Sequence, residues 1–397
     1  MSLVCFRWGQ QIYKASRIMK ILLVGPHPPH GGGSAYSCQE LACGLRSLGH
    51  DVLQIAPYRE PTNLIEYPGL IWMPANCSWE SLSIAPEAKS VMDRHLLATY
   101  REHGPFDCII LGREFFLWHL PTLRFIHHKP IVLICRGGHI NRLAARESAT
   151  PELREQLIKL YRDCDRIVCI ARYLVEVVNQ VIGVNKSLFL PNPINFANYH
   201  AKSSAALAPE QPIHLLMAAQ IKSRKRPLDA VEIVWRLAQE HHDVQLTVCG
   251  NGADMERMEH SIRHYGLEKR IHLKGGVARQ EVFNCLHQAE TVLLCSELEG
   301  RPRILQEAIA LGKGIVAYDN PGSREVVNEW PAPWPLGRLV PIGDTGAAAS
   351  SILELARYLR SSPQLMIERQ LPKPMEVLYE YELMLKTLQV QPLKVAS

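Results

Sequence analysis

Several features that would assign the chain to other protein classes are missing from its 397 residues. It has no run of roughly 18 consecutive apolar residues, the length that a membrane-spanning helix needs. Its eleven cysteines form no CxxC pair, so neither a zinc site nor a thioredoxin-type motif is indicated. The formal net charge of +5 is too mild to indicate nucleic-acid binding. These features favour a reduced, cytoplasmic protein, and peripheral contact with the inner face of a membrane is compatible with them.

Residues 1–18 lack the apolar segment and the cleavage site of a secretion signal, so export is not expected. They also differ in character from the residues after Met19, where the first strand pattern opens directly. An upstream start and a small extra segment are both consistent with them, and the sequence does not decide whether they are native.

Short apolar runs alternate with helical patterns along most of the chain. The runs predict strands at residues 21–24, 52–55, 108–111, 131–135, 167–170, 188–190, 213–217, 244–249, 271–273, 292–295 and 314–318. The intervening patterns predict helices at 34–48, 228–240, 255–265 and 304–311, and residues 347–388 also have a helical pattern. Strand–helix alternation predicts an α/β fold with mostly parallel sheets that are covered by helices on both faces.

The length of the chain predicts two domains, because a single hydrophobic core rarely serves so many residues. Residues 198–212, rich in Ala, Ser and Pro, have no apolar periodicity and are interpreted as a linker. The first domain is then 1–197 and the second 213–370, followed by a C-terminal helical segment, 371–397. Doubly wound sheets bind ligands at the carboxyl ends of their strands, so two such sheets facing each other would form a deep cleft.

The strongest motif, residues 296–308, follows a predicted strand and continues into a helix. Pro302 suits the first turn of that helix, whose free N–H groups and dipole would favour a phosphate. Glu299 precedes the helix, and Glu307 lies about one turn inside it, facing the same side. Carboxylates accept two hydrogen bonds and therefore suit paired hydroxyls, such as those of a ribose or a hexose.

A cation-rich segment, residues 220–227, follows the strand that starts at residue 213. Lys222, Arg224, Lys225 and Arg226 place four cations within five residues at the carboxyl end of that strand. A diphosphate would suit such a group, although a solvated turn has the same composition.

Glycine-rich loops follow three further strands. Gly31, Gly32 and Gly33 follow the first strand, and their backbone amides could approach a phosphate closely. The loops that contain Gly250 and Val277 lie after strands of the second domain. None of these loops matches GxGxxG, and Ala56-Pro57 ends the second strand without an acidic residue, which speaks against a dinucleotide-dependent dehydrogenase.

Histidines lie in two loops of the first domain. His139 lies just beyond the strand 131–135, where it is either a loop histidine or a group that orients the transferred sugar or the acceptor. His27 and His30 flank the first glycine-rich loop as loop residues or acceptor contacts. No third ligand has a suitable spacing, and Asp163-Cys164-Asp165 ends a helix before a strand, so no metal site is expected.

Aromatic and charged residues are mixed in the segment 113–118. Arg113 and Glu114 precede Phe115, Phe116 and Trp118. The segment is interpreted as an acceptor wall, as a lipid-facing edge or as simple core packing.

Together these residues resemble family 4 of the retaining glycosyltransferases, which have the GT-B fold, from about Met19 to Leu388. Residues 296–308 match the Glu-x7-Glu signature of that family, and residues 322–327 match the segment that usually follows it. The resemblance implies two Rossmann-like domains facing across a cleft, with the first on the acceptor side and the second binding a nucleotide sugar. It also implies that the last helix crosses back to the first domain.

The resemblance assigns roles to particular residues. Glu307 would bind the ribose hydroxyls, Glu299 the hydroxyls of the transferred sugar, and Lys225 the diphosphate. Backbone amides near Arg301–Ile304 would assist Lys225, and Val277 would lie near the base. The remaining donor-binding candidates are Gly32, Gly33, Gln220, Arg224, Gly250, Gly300, Arg303 and Ile304. The acceptor-side candidates are His27, Arg113 and Arg136, and His139 joins Glu299 and Lys225 in the catalytic set.

Two positions depart from the family pattern. Gln220 stands where the family usually has an arginine, so Lys222 or Arg224 would have to substitute for it. Arg136 stands where the family often has a histidine, and His139 follows three residues later.

The expected function is metal-independent, retaining transfer of a hexose-type sugar from a nucleoside-diphosphate sugar to a hydroxyl acceptor. A UDP-sugar is favoured and a GDP-sugar is the second choice, with a saccharide, lipid-linked or small-molecule acceptor. No cofactor is expected, because the donor is a co-substrate. The alternatives are a non-catalytic nucleotide-sugar-binding protein and a sugar phosphorylase or epimerase of the same fold.

Overall fold

The computed structural model describes residues 17–58, 61, 64–75, 78, 81–146, 150–196, 211–329, 333–361 and 373–390. Residues 1–16 and most of the predicted linker, 198–210, lie outside the described residues. In the part that is described, two parallel sheets follow one another along the chain, and helices cover both. No helix in these ranges is long and apolar enough to cross a membrane.

The first sheet is parallel, with the strand order β3-β2-β1-β4-β5-β6-β7. Its strands are β1 (Lys20–Val24), β2 (Asp51–Tyr58), β3 (Leu70–Pro74), β4 (Cys108–Leu111), β5 (Ile131–Cys135), β6 (Arg166–Cys169) and β7 (Ser187–Phe189). Its helices are α1 (Gly33–Ser47), α2 (Pro86–His103), α3 (Leu120–Ile126), α4 (Gly138–Ala144), α5 (Pro151–Asp163) and α6 (Arg172–Ile182). The strand order reverses between β1 and β4, which is where doubly wound sheets bind ligands.

The second sheet is also parallel, with the strand order β10-β9-β8-β11-β12-β13. Its strands are β8 (Ile213–Ala218), β9 (Val244–Cys249), β10 (Ile271–Gly275), β11 (Thr291–Leu294), β12 (Gly314–Tyr318) and β13 (Gly337–Val340). The helices are α7 (Pro227–Gln239), α8 (Met255–His264), α9 (Arg279–Gln288), α10 (Arg303–Leu311), α11 (Pro321–Glu329), α12 (Thr345–Ser361) and α13 (Pro374–Val390). The switch point here lies between β8 and β11.

Two separate hydrophobic cores support the two sheets. Every residue of β4 and β5 is buried, as expected for central strands that helices cover on both faces. Buried free cysteines fill positions in both cores, such as Cys135 and Cys295. The predicted α/β fold with two doubly wound sheets is therefore confirmed.

The last helix, α13, packs into the first core although it follows the second domain in sequence. Leu378 lies so close to α1 that a Cβ atom on Gly44 would be 2.4 Å from it. His50 and Glu382 form a buried contact of 3.1 Å between the same two parts of the chain. The chain thus crosses between the domains a second time.

Candidate active site

A cleft of about 870 Å³ lies between the carboxyl ends of the two sheets. The first domain contributes residues 29–34, Arg113 and Arg136 to its lining. The second domain contributes most of the predicted donor-binding set, namely Gln220, Arg224, Lys225, Gly250, Val277, Glu299, Gly300, Arg303, Ile304 and Glu307. The loops that follow the strands at the two switch points therefore place residues from distant parts of the sequence in one cleft.

Lys225 and Glu299 form an ion pair at the second switch point. Strands β8 and β11 are parallel neighbours, so the loops after them meet at the same edge of the sheet. Each of the two side chains is only 14% exposed. Burial raises the pKa of Glu299. The charge and hydrogen bond of Lys225, together with Ser296 and Arg224, lower it by more, so the net pKa lies below the usual value. Glu299 is therefore ionised at neutral pH and able to accept hydrogen bonds from hydroxyls.

Glu307 lies one turn into α10, and 1% of it is exposed. Arg303 Nε donates to Glu307 Oε1 at 2.6 Å, and Arg279 forms a second ion pair with the same carboxylate. Arg303 also reaches across the cleft, where its two Nη atoms bind the carboxylate of Glu40 on α1 at 2.6 and 2.7 Å. A ribose that binds Glu307 would therefore have to exchange hydroxyls for at least one of these arginine contacts.

The N-terminus of α10 opens toward the cleft. The helix starts at Arg303 after Pro302, and no side chain caps its first backbone N–H groups. Those groups and the helix dipole favour an anion at this position. The nearby side chains of Arg224 and Lys225 also line the cleft, so a diphosphate would find cations and backbone donors together.

The glycine loop after β9 packs closely against the loop after β8 at the floor of the cleft. Gly250 has a φ of 145°, and a Cβ atom on it would lie 1.8 Å from the carbonyl oxygen of Ala219. On the opposite wall, Gly32 and Gly33 have open space where a Cβ would be, next to the start of α1. The backbone of both domains is therefore accessible from the cleft.

Arg113 and Arg136, the two arginines predicted on the acceptor side, both line the first-domain wall of the cleft. Arg136 follows β5 and lines the cleft, while its guanidinium donates to Gly112 O at 2.8 Å and to Asn192 Oδ1 at 3.0 Å. Arg113 and Glu114 line the same wall.

The structure does not bring His139 or His27 into the cleft. His139 is the second residue of α4 and only 2% exposed, because Gly138 occupies the side of the helix that faces the cleft. His27 is 1% exposed, and its Nδ1 contacts Pro28 O at 2.8 Å. Burial lowers the pKa of His27. The catalytic role predicted for His139 and the acceptor contact predicted for His27 therefore have no support in the geometry, whereas His30 does line the cleft.

The aromatic residues after Arg113 belong to the core. Phe115 and Phe116 are fully buried, and Trp118 donates from Nε1 to Leu82 O at 3.1 Å. They form neither a lipid-facing edge nor an acceptor wall, so the core-packing interpretation is the correct one.

Asp165, in the segment Asp163–Asp165, makes hydrogen bonds within the first domain. Asp165 accepts hydrogen bonds from Arg124 Nη2 at 2.5 Å and from the backbone N–H of Ile131 at 2.7 Å. Over the described ranges, no group of three His, Cys, Asp or Glu side chains is arranged to hold a metal ion.

Among the residues that the sequence does not predict, Tyr36 and Arg279 line the cleft, and Glu40 and Tyr173 contact residues that line it. The guanidinium groups of Arg279 and Arg303 lie 5.5 and 6.0 Å from the centre of the Tyr36 ring. No local motif marks these positions, because each of them contacts a partner from a distant part of the sequence.

Comparison with known proteins gives matches to two family models that together span most of the chain. The model described as Glycosyltransferase Family 4 matches residues 31–198. The model described as Glycosyl transferases group 1 matches residues 200–358.

Two curated relatives illustrate the sequence similarity. An amylovoran biosynthesis glycosyltransferase of Erwinia amylovora is 28% identical over 153 residues, which are 37% of this chain and 37% of the relative. A 2-deoxystreptamine N-acetyl-D-glucosaminyltransferase of Niallia circulans is 30% identical over 112 residues, 28% of this chain and 29% of the relative. The matched region thus spans less than half the length of these relatives.

Two solved structures illustrate the similarity in fold. HepE of Anabaena, in complex with UDP and glucose, has a TM-score of 0.72 at 15% identity, covering 93% of this chain and 100% of that one. Sucrose-phosphate synthase of Thermosynechococcus elongatus has a TM-score of 0.73 at 16% identity, covering 93% and 97%. At this identity the likeness shows the fold, and together with the family models it leads to one conclusion: the chain belongs to the GT-B glycosyltransferases of the family 4 type.

Proposed function

We propose that the chain transfers a hexose-type sugar from a nucleoside-diphosphate sugar to a hydroxyl acceptor, with retention at the anomeric carbon and without a metal ion. The observation that carries this proposal is the meeting of Lys225, Glu299, Glu307 and the open N-terminus of α10 in one cleft. These groups supply contacts for a phosphate, a sugar and a ribose within a single cavity.

The donor would lie along the second domain. Its diphosphate would lie between the first backbone N–H groups of α10 and the side chains of Arg224 and Lys225, with its base near Val277. Its ribose would take the place of Arg279 on Glu307, since Arg279 is the more exposed of the two arginines, at 27%. UDP-sugars are the favoured donors, because HepE, which has the same fold, is described in complexes with UDP and with UDP-glucose.

In the transfer, the bond between the anomeric carbon and the phosphate oxygen breaks, and the acceptor oxygen forms the new bond on the same face. The acceptor proton passes to the departing phosphate oxygen, so no separate carboxylate base is needed. Lys225 and the helix amides stabilise the negative charge that develops on the nucleoside diphosphate. Glu299 holds the hydroxyls of the sugar, and closure of the domains excludes water that would hydrolyse the donor.

The test is release of nucleotide from UDP-glucose, UDP-galactose, UDP-N-acetylglucosamine and GDP-mannose, measured in EDTA with a panel of saccharide acceptors. We expect acceptor-dependent release with one donor, and a loss of about 100-fold or more for Glu299→Ala, measured at a temperature where circular dichroism shows that the variant is folded. Glu268→Ala, an exposed position outside the cleft, is the matched control. Normal turnover by Glu299→Ala would contradict the role of Glu299, and no turnover by the wild type would contradict the function itself.

One observation favours a second function, a nucleotide-sugar-binding protein without turnover. Gln220 is neutral and accepts a hydrogen bond from Lys222 Nζ at 2.9 Å, which leaves this corner of the phosphate site with less positive charge. Such a protein would bind the nucleotide yet release none from any of the four donors.

A further inference from the structure

A second set of contacts between the two domains lies beside the cleft, at the N-terminus of α6. No side chain near Ala171 caps this helix of the first domain. The cap comes from the second domain, where Glu325 on α11 accepts hydrogen bonds from Arg172 N at 2.9 Å and from Tyr173 N at 3.2 Å. A carboxylate at this position satisfies two backbone donors and complements the helix dipole.

Glu325 is at the same time the partner of Arg301 in the loop that carries Glu299. Arg301 Nη1 donates to Glu325 Oε1 at 2.5 Å, and the two side chains are 3% and 5% exposed. The guanidinium groups of Arg301 and Arg172 also lie over the ring of Phe189, at 5.6 and 4.4 Å from its centroid. Breaking a buried pair of this kind leaves an uncompensated charge, so the contact strongly favours one relative arrangement of α6 and the loop.

Tyr173 makes a direct contact from α6 to the backbone of Glu299. Its hydroxyl donates to Glu299 O at 2.6 Å and accepts from Asn141 Nδ2 at 3.0 Å, so its orientation is fixed. Burial raises the pKa of Tyr173, which keeps the hydroxyl protonated as a donor. The next residue, Gly300, touches the first domain so closely that a Cβ atom on it would lie 2.1 Å from Arg136 O.

We propose that Tyr173 and Glu325 are positioning residues that orient the Glu299 loop for catalysis when the two domains close. The carbonyl that Tyr173 holds belongs to the same residue as the carboxylate that we place on the sugar. Glu325 holds the other end of the loop through Arg301. A helix of the first domain thereby sets the position of a sugar-binding group of the second. This inference rests on the proposed function, because it concerns the turnover of a donor bound at Glu299.

Tyr173→Phe tests the proposal most cleanly, since it removes one hydroxyl and no charge. The nucleotide contacts lie in the second domain, so the Kd for UDP, measured by calorimetry, is expected to stay within about twofold. The kcat is expected to fall about tenfold, the rate equivalent of one neutral hydrogen bond at the upper end of its usual range. Glu325→Gln keeps the shape of the side chain and is expected to lower kcat in the same way. Tyr358→Phe, on the exposed face of α12, is the matched control.

For Tyr173→Phe, a decrease in kcat at unchanged Kd and melting temperature supports the proposal, because a merely structural role would change all three together. Glu325→Gln leaves Arg301 buried without its charged partner, so its melting temperature is expected to fall, and for this variant a decrease in kcat at unchanged Kd supports the proposal. Unchanged kcat in both variants would contradict it. If the wild type turns over no donor, the proposed function is contradicted, but the domain contact made by Tyr173 and Glu325 can still be tested. Small-angle scattering of the UDP complex is then the measurement that tests it. A larger radius of gyration for the double variant Tyr173→Phe, Glu325→Gln supports the domain contact, and an equal radius contradicts it.

Discussion

Both glutamates of the Glu-x7-Glu spacing are paired with cations of the protein. Glu299 is bound by Lys225, and Glu307 by Arg303 and Arg279. An isolated carboxylate at such burial would take up a proton instead. The pairing with Lys225 keeps Glu299 ionised, and each of the two glutamates can exchange a cation contact for the hydroxyls of a ligand.

The sequence predicts these glutamates and Lys225 because each belongs to a short motif placed directly after a strand. It does not predict Glu40, Arg279 or Tyr173, whose partners lie far away in the sequence. The Glu40–Arg303 pair, for example, joins residues 263 positions apart. For His139 the sequence leaves open a loop histidine and a group that orients the sugar or the acceptor. The structure buries His139 and places its neighbour Gly138 at the cleft, and the motif alone does not show which of the two faces the cleft.

Histidine burial gives the protein a predicted pH dependence. His127 is 1% exposed, and burial lowers its pKa to about 4. Between pH 6.5 and 4 the unfolded chain therefore binds the proton more readily, so the free energy of unfolding decreases as the pH falls. Its contribution between pH 7 and pH 5 is about 2 kcal/mol.

We expect the melting temperature of the wild type to fall from pH 7 to pH 5, and that of His127→Gln to fall less. His128→Gln changes the exposed neighbour and is the control, whose pH dependence should equal that of the wild type. Equal pH dependence in all three proteins would show that His127 is not the titrating group.

At the scale of elements, the strands that the sequence predicts have either a continuous apolar run, as in β4 and β5, or apolar residues that alternate with polar ones, as in β9. The two strands that it misses, β3 and β13, both lie at sheet edges. Edge strands are covered less completely, and each of these two has only one buried residue, Met73 and Val340 respectively. In β13 the apolar residues are interrupted by Arg338, so the pattern is weak, whereas β3 does contain a short apolar run, Leu70–Met73, that is not among the predicted strands.

Helix α13 offers a matched pair of leucines for testing what holds the end of the chain to the first domain. Leu385 is 1% exposed in the first core, whereas Leu383 is 60% exposed. We expect Leu385→Ala to lower the free energy of unfolding by about 2–5 kcal/mol, because it leaves a cavity between α13 and α1. Leu383→Ala should change it by less than about 0.5 kcal/mol. Urea denaturation measures both, and equal effects would contradict the packing of α13.

At the scale of the whole molecule, the contacts that join the two domains involve the same residues, or their direct partners, that we propose bind the donor. Arg303 links Glu307 to Glu40, and Glu325 links the Glu299 loop to α6. The sequence predicts two facing domains and the order of their elements. It does not predict these contacts, because they depend on how the two sheets are oriented relative to each other.

The proposed transfer requires a nucleotide site that works without a metal ion, and nucleotide binding tests this most directly. The melting temperature would be measured with UDP, GDP and ADP in EDTA, and again with magnesium. We expect UDP to raise it equally in both conditions, with a stabilisation of about 3 kcal/mol at 100 times its Kd. No increase with any of the three nucleotides at saturating concentration would contradict the donor site and, with it, the proposed transfer reaction.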